Sequence, residues 1–433
     1  MQRPKFECNM VLMVFFVSFI ATSMIISTPI AQASPTTYYV RTTGSDVTGD
    51  GSSGNPWKTI NYAIGQVVSD DKIMVEAGTY DEIVVINKKI SLISKTKHGA
   101  IIKPTSGVSW PNMGAVNLMA DGVTFSGFEV DGSGTPGNHE VINAYGVSDV
   151  VITHNLVHGA TSGTWDGMGI AVWDWTSAST VDNATIEYNE VYDTGRMGIF
   201  CMDFDTTNSE YDLTKDHTIS GNIVYDTWKK GDDWGDAGGG IQINAGKDCI
   251  ISDNTIYNIA SSTYADHYNP CIYMFGSGSG NTITNNVMRD SASGITLWIS
   301  GEGGTTIDWE GDTATSPEVH CNNIYGNTNY GAVSINVAGT TMVMDATDNW
   351  WGDASGPYHP TLNPSGQGDT VTDNVDFDPW QINYPACQPP PVGGEWIAVN
   401  KFELLAPWMG LVSLMIVAAV SLAYVKRRKK HQN

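Results

Sequence analysis

The sequence predicts an all-β, right-handed parallel β-helix, a solenoid with coils of about 22–37 residues, closed at its start by one helix and followed by one C-terminal transmembrane helix. Three observations predict it. A block built around an asparagine returns every 32 to 34 residues, a second alternating block follows each copy, and the two ends of the chain have the layouts of export and anchoring segments.

At the N-terminus, Arg3 and Lys5 precede an apolar run over 11–26 and the small-residue site Ala31-Gln32-Ala33, the order of a secretory signal peptide. Residues 1–33 are therefore expected to leave, and 34–386 to form the exported β-helix. The stretch Pro56-Trp57 through Ile60, Ala63 and Ile64 has apolar residues at helical spacing and predicts an amphipathic helix that covers the open end of the solenoid.

The repeat itself reads apolar-x-x-Asn-x-apolar. It recurs as Ile152-Thr-His-Asn155-Leu-Val157, Ile186-Glu-Tyr-Asn189-Glu-Val191, Ile219-Ser-Gly-Asn222-Ile-Val224, Ile251-Ser-Asp-Asn254-Thr-Ile256 and Ile283-Thr-Asn-Asn286-Val-Met288, with asparagines 34, 33, 32 and 32 residues apart. Weaker copies at Asn323 and Asn349 extend the array. The second block reads Ile170-Ala-Val172, Ile199-Phe-Cys201, Ile241-Gln-Ile243, Ile272-Tyr-Met274, Ile295-Thr-Leu297 and Val333-Ser-Ile335. Short strands cannot bury a face alone, so the coils must stack, Ile on Ile and Asn on Asn. A leucine-rich solenoid would need a Leu-x-x-Leu-x-Leu frame and a propeller a period of about 40–50; neither is present. At the far end Asn349-Trp350-Trp351-Gly352-Asp353 brings two tryptophans to close the core.

Residues 387–403 read as a Pro/Gly stalk, 404–425 as an uncharged membrane span, and 426–433 as a basic tail that stays in the cytoplasm. The expected location is the cell surface, as a single-pass membrane protein with an extracytoplasmic N-terminal domain. The chain carries 22 Lys+Arg and 46 Asp+Glu; Arg3, Lys5, Glu7 and the five cations of the tail lie in the terminal segments, leaving 15 against 45, a net −30 over 34–403. Such a charge excludes nucleic acid as a partner. Five cysteines remain after export, an odd number that makes no disulfide framework, and most of them read as small core hydrophobes.

The opening Gly44-Ser45-Asp46 through Asn55-Pro56-Trp57 and Ala77-Gly78-Thr79-Tyr80, the Ile-x-x-Asn-x-Ile/Val coils and the Asn-Trp-Trp-Gly-Asp…Ser-Gly-Pro ending together resemble prokaryotic surface proteins of the pectin-lyase-like β-helix superfamily. The likeness spans about residues 38–380. It implies the fold, and it implies carbohydrate binding or sugar hydrolysis as the kind of function the fold hosts.

Equivalent positions of stacked coils form columns. By strand alternation Trp173, Phe200, Tyr273, Phe275 and Trp298 point outward from the second block, and rings beside amides and carboxylates make a glycan-binding face; the alternative is that loops cover them as a satellite core. Just before the same strands lies a polar column, Asp166, Arg196, Asp236 and His267, whose members could act as acid and base on a glycan. Asp232, Asp233 and Asp266 stand beside it as candidate metal ligands, with Ca²⁺ the cation they would take, although no cofactor is required. Asp174 and Asp203 occupy equal offsets at the other strand end. Three functions stay open: a surface protein that binds extracellular or envelope polysaccharide, a membrane-tethered polysaccharide lyase or glycoside hydrolase, and a structural envelope spacer.

Overall fold

Alternating residues bury one side of a strand and leave the other for solvent; the first block does so here, while the strands of the second are buried on both sides. The computed structural model describes residues 34–387 except 111, 136–138, 161–166, 177–179, 208–209, 228–237, 261–268, 299–305, 308–311, 336–341 and 385. Three parallel sheets run along it. The first has 12 strands from Thr37–Val40 to Val375–Asp376; the second has nine from Gly78–Tyr80 to Asn323–Tyr325; the third follows a path from Val84–Ile86 to Tyr330–Ile335, with three short strands attached to it. One coil visits all three, as in Val151–Thr153, Leu156–Ala160 and Met168–Asp174, before the chain returns to the first sheet at Thr185–Glu187.

Register places like on like. Ile152, Ile186, Ile219, Ile251 and Ile283 are successive partners in the first sheet, and Ile170, Ile199, Ile241, Ile272 and Ile295 in the third. All are buried in one continuous apolar core. Two register readings from the sequence need correction. The sixth ladder asparagine is Asn322, not Asn323, and the inward residue of the last third-sheet strand is Ala332, partner of Ile295, so Val333 points outward.

The asparagines tie the first sheet to the second. Each Nδ2 donates to the Oδ1 of the next coil, at 3.0 Å from Asn155 to Asn189, from Asn189 to Asn222 and from Asn222 to Asn254. The row continues through Asn286 and Asn322 to Asn349. Each Nδ2 also donates to a carbonyl of the coil before, such as Asn222 to Ile186 O at 2.8 Å. The residue just before each ladder position has a left-handed backbone, with φ of 60° at His154, 55° at Tyr188, 65° at Gly221 and 58° at Asp253. That conformation costs energy for most side chains, and the buried amide bonds offset it.

The helix Ile60–Gln66 forms as expected, capped by the Thr59 side chain, and buries Ile60, Ala63 and Ile64 against the first coil. At the other end only Trp351 enters the core; Trp350 is half-buried, and Phe377 and Trp380 complete the closure in its place. Cys321 and Cys387 form a disulfide, and the other three, Cys201, Cys249 and Cys271, are buried thiols, as read for most of the set. No helix of the described residues is long and apolar enough to cross a membrane. The segments expected to be signal peptide, transmembrane span and tail lie outside the described residues, as does the stalk beyond Cys387.

Candidate active site on the third sheet

The outer face of the third sheet carries the rings expected of it, but not as an open platform. Phe200, Tyr273 and Trp298 are 4%, 1% and 8% exposed. Phe200 packs with Met168, Ala171, Met197 and Met202 in a satellite apolar cluster, against which Trp173, Phe204 and Tyr211 rest. The covered-ring alternative therefore holds for three of the five rings, and Trp173 and Phe275 are half-buried.

Against the Phe200 cluster and Phe275 packs an excursion that the repeat block does not announce. The strand Met197–Asp205 runs past the sheet's edge and is met by an antiparallel strand Glu210–Asp212, which pairs Asp203 with Asp212 and Phe204 with Tyr211. Tyr211 sits edge-on to Phe204 at 5.0 Å and to Phe275 at 5.3 Å. Trp175 stacks on Phe204 at 4.4 Å, and Trp110, Tyr145 and Trp173 form a second group with centroids 4.9–6.2 Å apart. Trp110 and Trp175 are 55% and 44% exposed, so the solvent edge of the band is aromatic.

Three carboxylates converge where the band meets the strand ends. Asp174 and Asp203 are partners across parallel strands, and Asp203 and Asp212 across the antiparallel pair. Asp174 accepts from the Trp175 N–H at 2.7 Å and from the Thr176 hydroxyl at 3.0 Å on each oxygen. Asp203 is buried. Its burial, reinforced by the Asp174 and Asp212 carboxylates and only partly opposed by the Val181 backbone, pushes its pKa up to about 7. Burial, then the Asp174 charge, likewise pushes the neighbouring Tyr145 phenol up to about 12. A carboxyl group that keeps its proton near neutral pH is what general-acid work requires.

Of the polar column read from the sequence, Arg196 is half-buried just before Met197–Asp205, its N–H on the Gly167 carbonyl at 3.0 Å. Asp166, Asp236 and His267, and the candidate metal ligands Asp232, Asp233 and Asp266, lie outside the described residues. Among the described residues no group of three or more His, Cys, Asp or Glu is arranged to hold a metal ion. Asp212 and Tyr211 escaped the sequence reading because their hairpin occurs once; the signal was the matched pair of alternating runs Asp203-Phe-Asp205 and Glu210-Tyr-Asp212.

No protein-family model matches the sequence, and no curated protein does. Solved structures do. An alginate lyase from Paenibacillus is 13% identical and covers 79% of this chain and 99% of its own at a TM-score of 0.52. The xylose complex of XylC is 13% identical over 69% of this chain and 68% of its own, TM-score 0.49, and the pectate lyase Pel9A is 14% identical over 81% and 80%, TM-score 0.41. With parallel sheets in register from end to end and an overlap that takes in nearly all of the alginate lyase, this chain has the pectin-lyase-like right-handed parallel β-helix fold.

Proposed function

We infer that the protein is an exported, carbohydrate-active β-helix protein that cleaves a glycosidic bond at the third sheet, with Asp203 as the proton donor and Asp174 as its partner. The observation that carries this reading is the buried Asp203 carboxyl, raised to about 7 between two other carboxylates, at the foot of an aromatic rim ending in exposed Trp110 and Trp175. A group with that acidity is protonated in a useful fraction at neutral pH and can give its proton to a leaving-group oxygen. The reading of a surface-anchored protein rests on the two termini, and the Cys321–Cys387 disulfide supports an oxidising compartment.

Non-catalytic glycan binding is the second reading, favoured by the exposed rings of Trp110 and Trp175 at the solvent edge of the band. One experiment separates the two. Incubation of the protein with a panel of polysaccharides, followed by product analysis, should release shortened chains, and Asp203→Asn should lower turnover by about 10²–10⁴-fold while keeping most of the affinity. Trp175→Ala should do the reverse. A glycan held tightly but returned intact by the unaltered protein would establish binding alone, and a panel neither held nor cut would remove both readings.

A further inference from the structure

The second sheet turns a different row of side chains outward. Three residues after the successive ladder asparagines come His158, Tyr192, Tyr225, Tyr257, Arg289 and Tyr325, all partners in register. From His158 to Tyr257 the ring centroids are 4.9, 5.1 and 5.0 Å apart and the planes within 17° of parallel. The Arg289 guanidinium closes the pile 4.5 Å over Tyr257. Each inner ring therefore has both faces covered, and what it offers to solvent is an edge and a hydroxyl. The Tyr225 hydroxyl donates to Glu190 Oε1 at 2.9 Å; for Tyr192 and Tyr257 no hydroxyl hydrogen bond exists among the described residues. Alongside runs the column Leu156, Glu190, Ile223, Thr255 and Val287, in which aliphatic and polar residues alternate and Ile223 is 41% exposed.

Size and charge say what such a strip can take. Six rows at about 4.8 Å give a length of roughly 24 Å, and three residues a width of about 10 Å. That is on the order of 240 Å², far below the roughly 800 Å² per partner of a stable protein interface. An extended polymer fits it; a globular partner or a second copy does not. Glu129, Asp131 and Glu190 stand at one end of the strip, Asp131 already paired with Lys103, and Arg289 is paired with Asp290. The net field repels a polyanion. With ring faces covered, a sugar is gripped at the phenol edges by the hydroxyls of Tyr192 and Tyr257, two coils or about 10 Å apart, and rests its C–H side on Ile223 between them.

We propose that this strip is a second glycan site, apart from the third-sheet carboxylates, which holds a neutral linear polysaccharide along the solenoid axis through the hydroxyls of Tyr192 and Tyr257 beside Ile223. The test uses Tyr192→Phe/Tyr257→Phe in the full chain, because phenylalanine keeps the ring pile and removes only the hydroxyls. Binding of a soluble mixed-linkage glucan and of cellohexaose is titrated, with polygalacturonate as the charged contrast. The double variant should bind the neutral polymers roughly ten- to a hundredfold more weakly, from a loss of about three- to tenfold per hydrogen bond, with an unchanged Tm and unchanged release of products at the third sheet. Trp110→Ala/Trp175→Ala should leave this binding in place. The proposal is overturned if the double variant binds as the parent does, if the tryptophan changes alone erase binding, if polygalacturonate binds better, or if the neutral polymers do not bind. Loss of turnover in Asp203→Asn with this binding intact would speak only to the third sheet, so the two readings fail separately.

Discussion

Asp203 shows how a single side chain can set the protein's response to pH. Its carboxyl has a pKa of about 7 in the folded chain against a reference of 3.8. Between those values the folded form keeps a proton that the unfolded form has lost, so this group's contribution to stability is fully present below about pH 4 and falls as pH rises to 7. The whole effect is at most about 4 kcal/mol. Asp203→Asn removes the titration, and its melting temperature relative to the parent should therefore be higher at pH 8 than at pH 4; equal offsets at both pH values would remove Asp203 as the titrating group. The sequence showed that Asp174 and Asp203 share an offset, but not that Asp203 would be held above the ordinary carboxylate range. That depends on its burial and on the like charges of Asp174 and Asp212, the second brought in by the strand Glu210–Asp212, which no repeat block announces.

At the level of elements, the coils were legible because stacking demands the same residue type at the same place. The ladder asparagines, the isoleucine columns and the helix Ile60–Gln66 follow from spacing alone. What spacing could not show is what lies over the third sheet, since alternation tells which way Phe200 and Tyr273 point but not whether another segment meets them. The tyrosine row of the second sheet was in view in the sequence, one residue past the end of each repeat block. The ladder also behaves differently at its end than a simple count suggests. Asn222 accepts from the N–H and Nδ2 of Asn189 and donates to Asn254 and Ile186; Asn349 accepts the same two bonds from Asn322 and donates to the Val319 and Ala346 carbonyls. Asn222→Leu leaves several buried groups unpaired at about 1–3 kcal/mol each and should lower stability by at least about 3 kcal/mol in denaturant titration. Asn349→Leu should come close to it. A loss under 1 kcal/mol at Asn222 would show that water replaces the ladder.

For the whole molecule, a solenoid whose coils contact only their neighbours is most exposed to fraying at its ends. The N-terminal end is covered by a helix. The C-terminal end is held by the Cys321–Cys387 bridge, 66 residues apart in sequence, with the Ala386 N–H on Asn323 Oδ1 at 2.8 Å beside it. Loop-closure entropy puts such a bridge at about 4 kcal/mol. Cys387→Ser should lower the melting temperature and speed amide exchange in the strands Glu318–His320 and Asn323–Tyr325 first, while Thr218–Ser220 keeps its protection; uniform loss of protection would mean that the array unfolds as one unit. The tight corner at the ladder has one more consequence, which concerns how such a chain can change over generations. From Ser126 to Glu129, Thr153 to Leu156 and on through His320 to Asn323, the first and second sheets are always joined by two residues, the second of them held by the amide row in every coil from Asn155 on. Insertion there would break that row and turn a strand's buried side outward. Between the second and third sheets the connection ranges from Thr194–Met197 to Tyr225–Gly239. From the amide row onward, lineages descended from this sequence can lengthen, shorten or exchange chain on the side where the carboxylates and tryptophans stand, so new specificities can arise there without the spine registering the change.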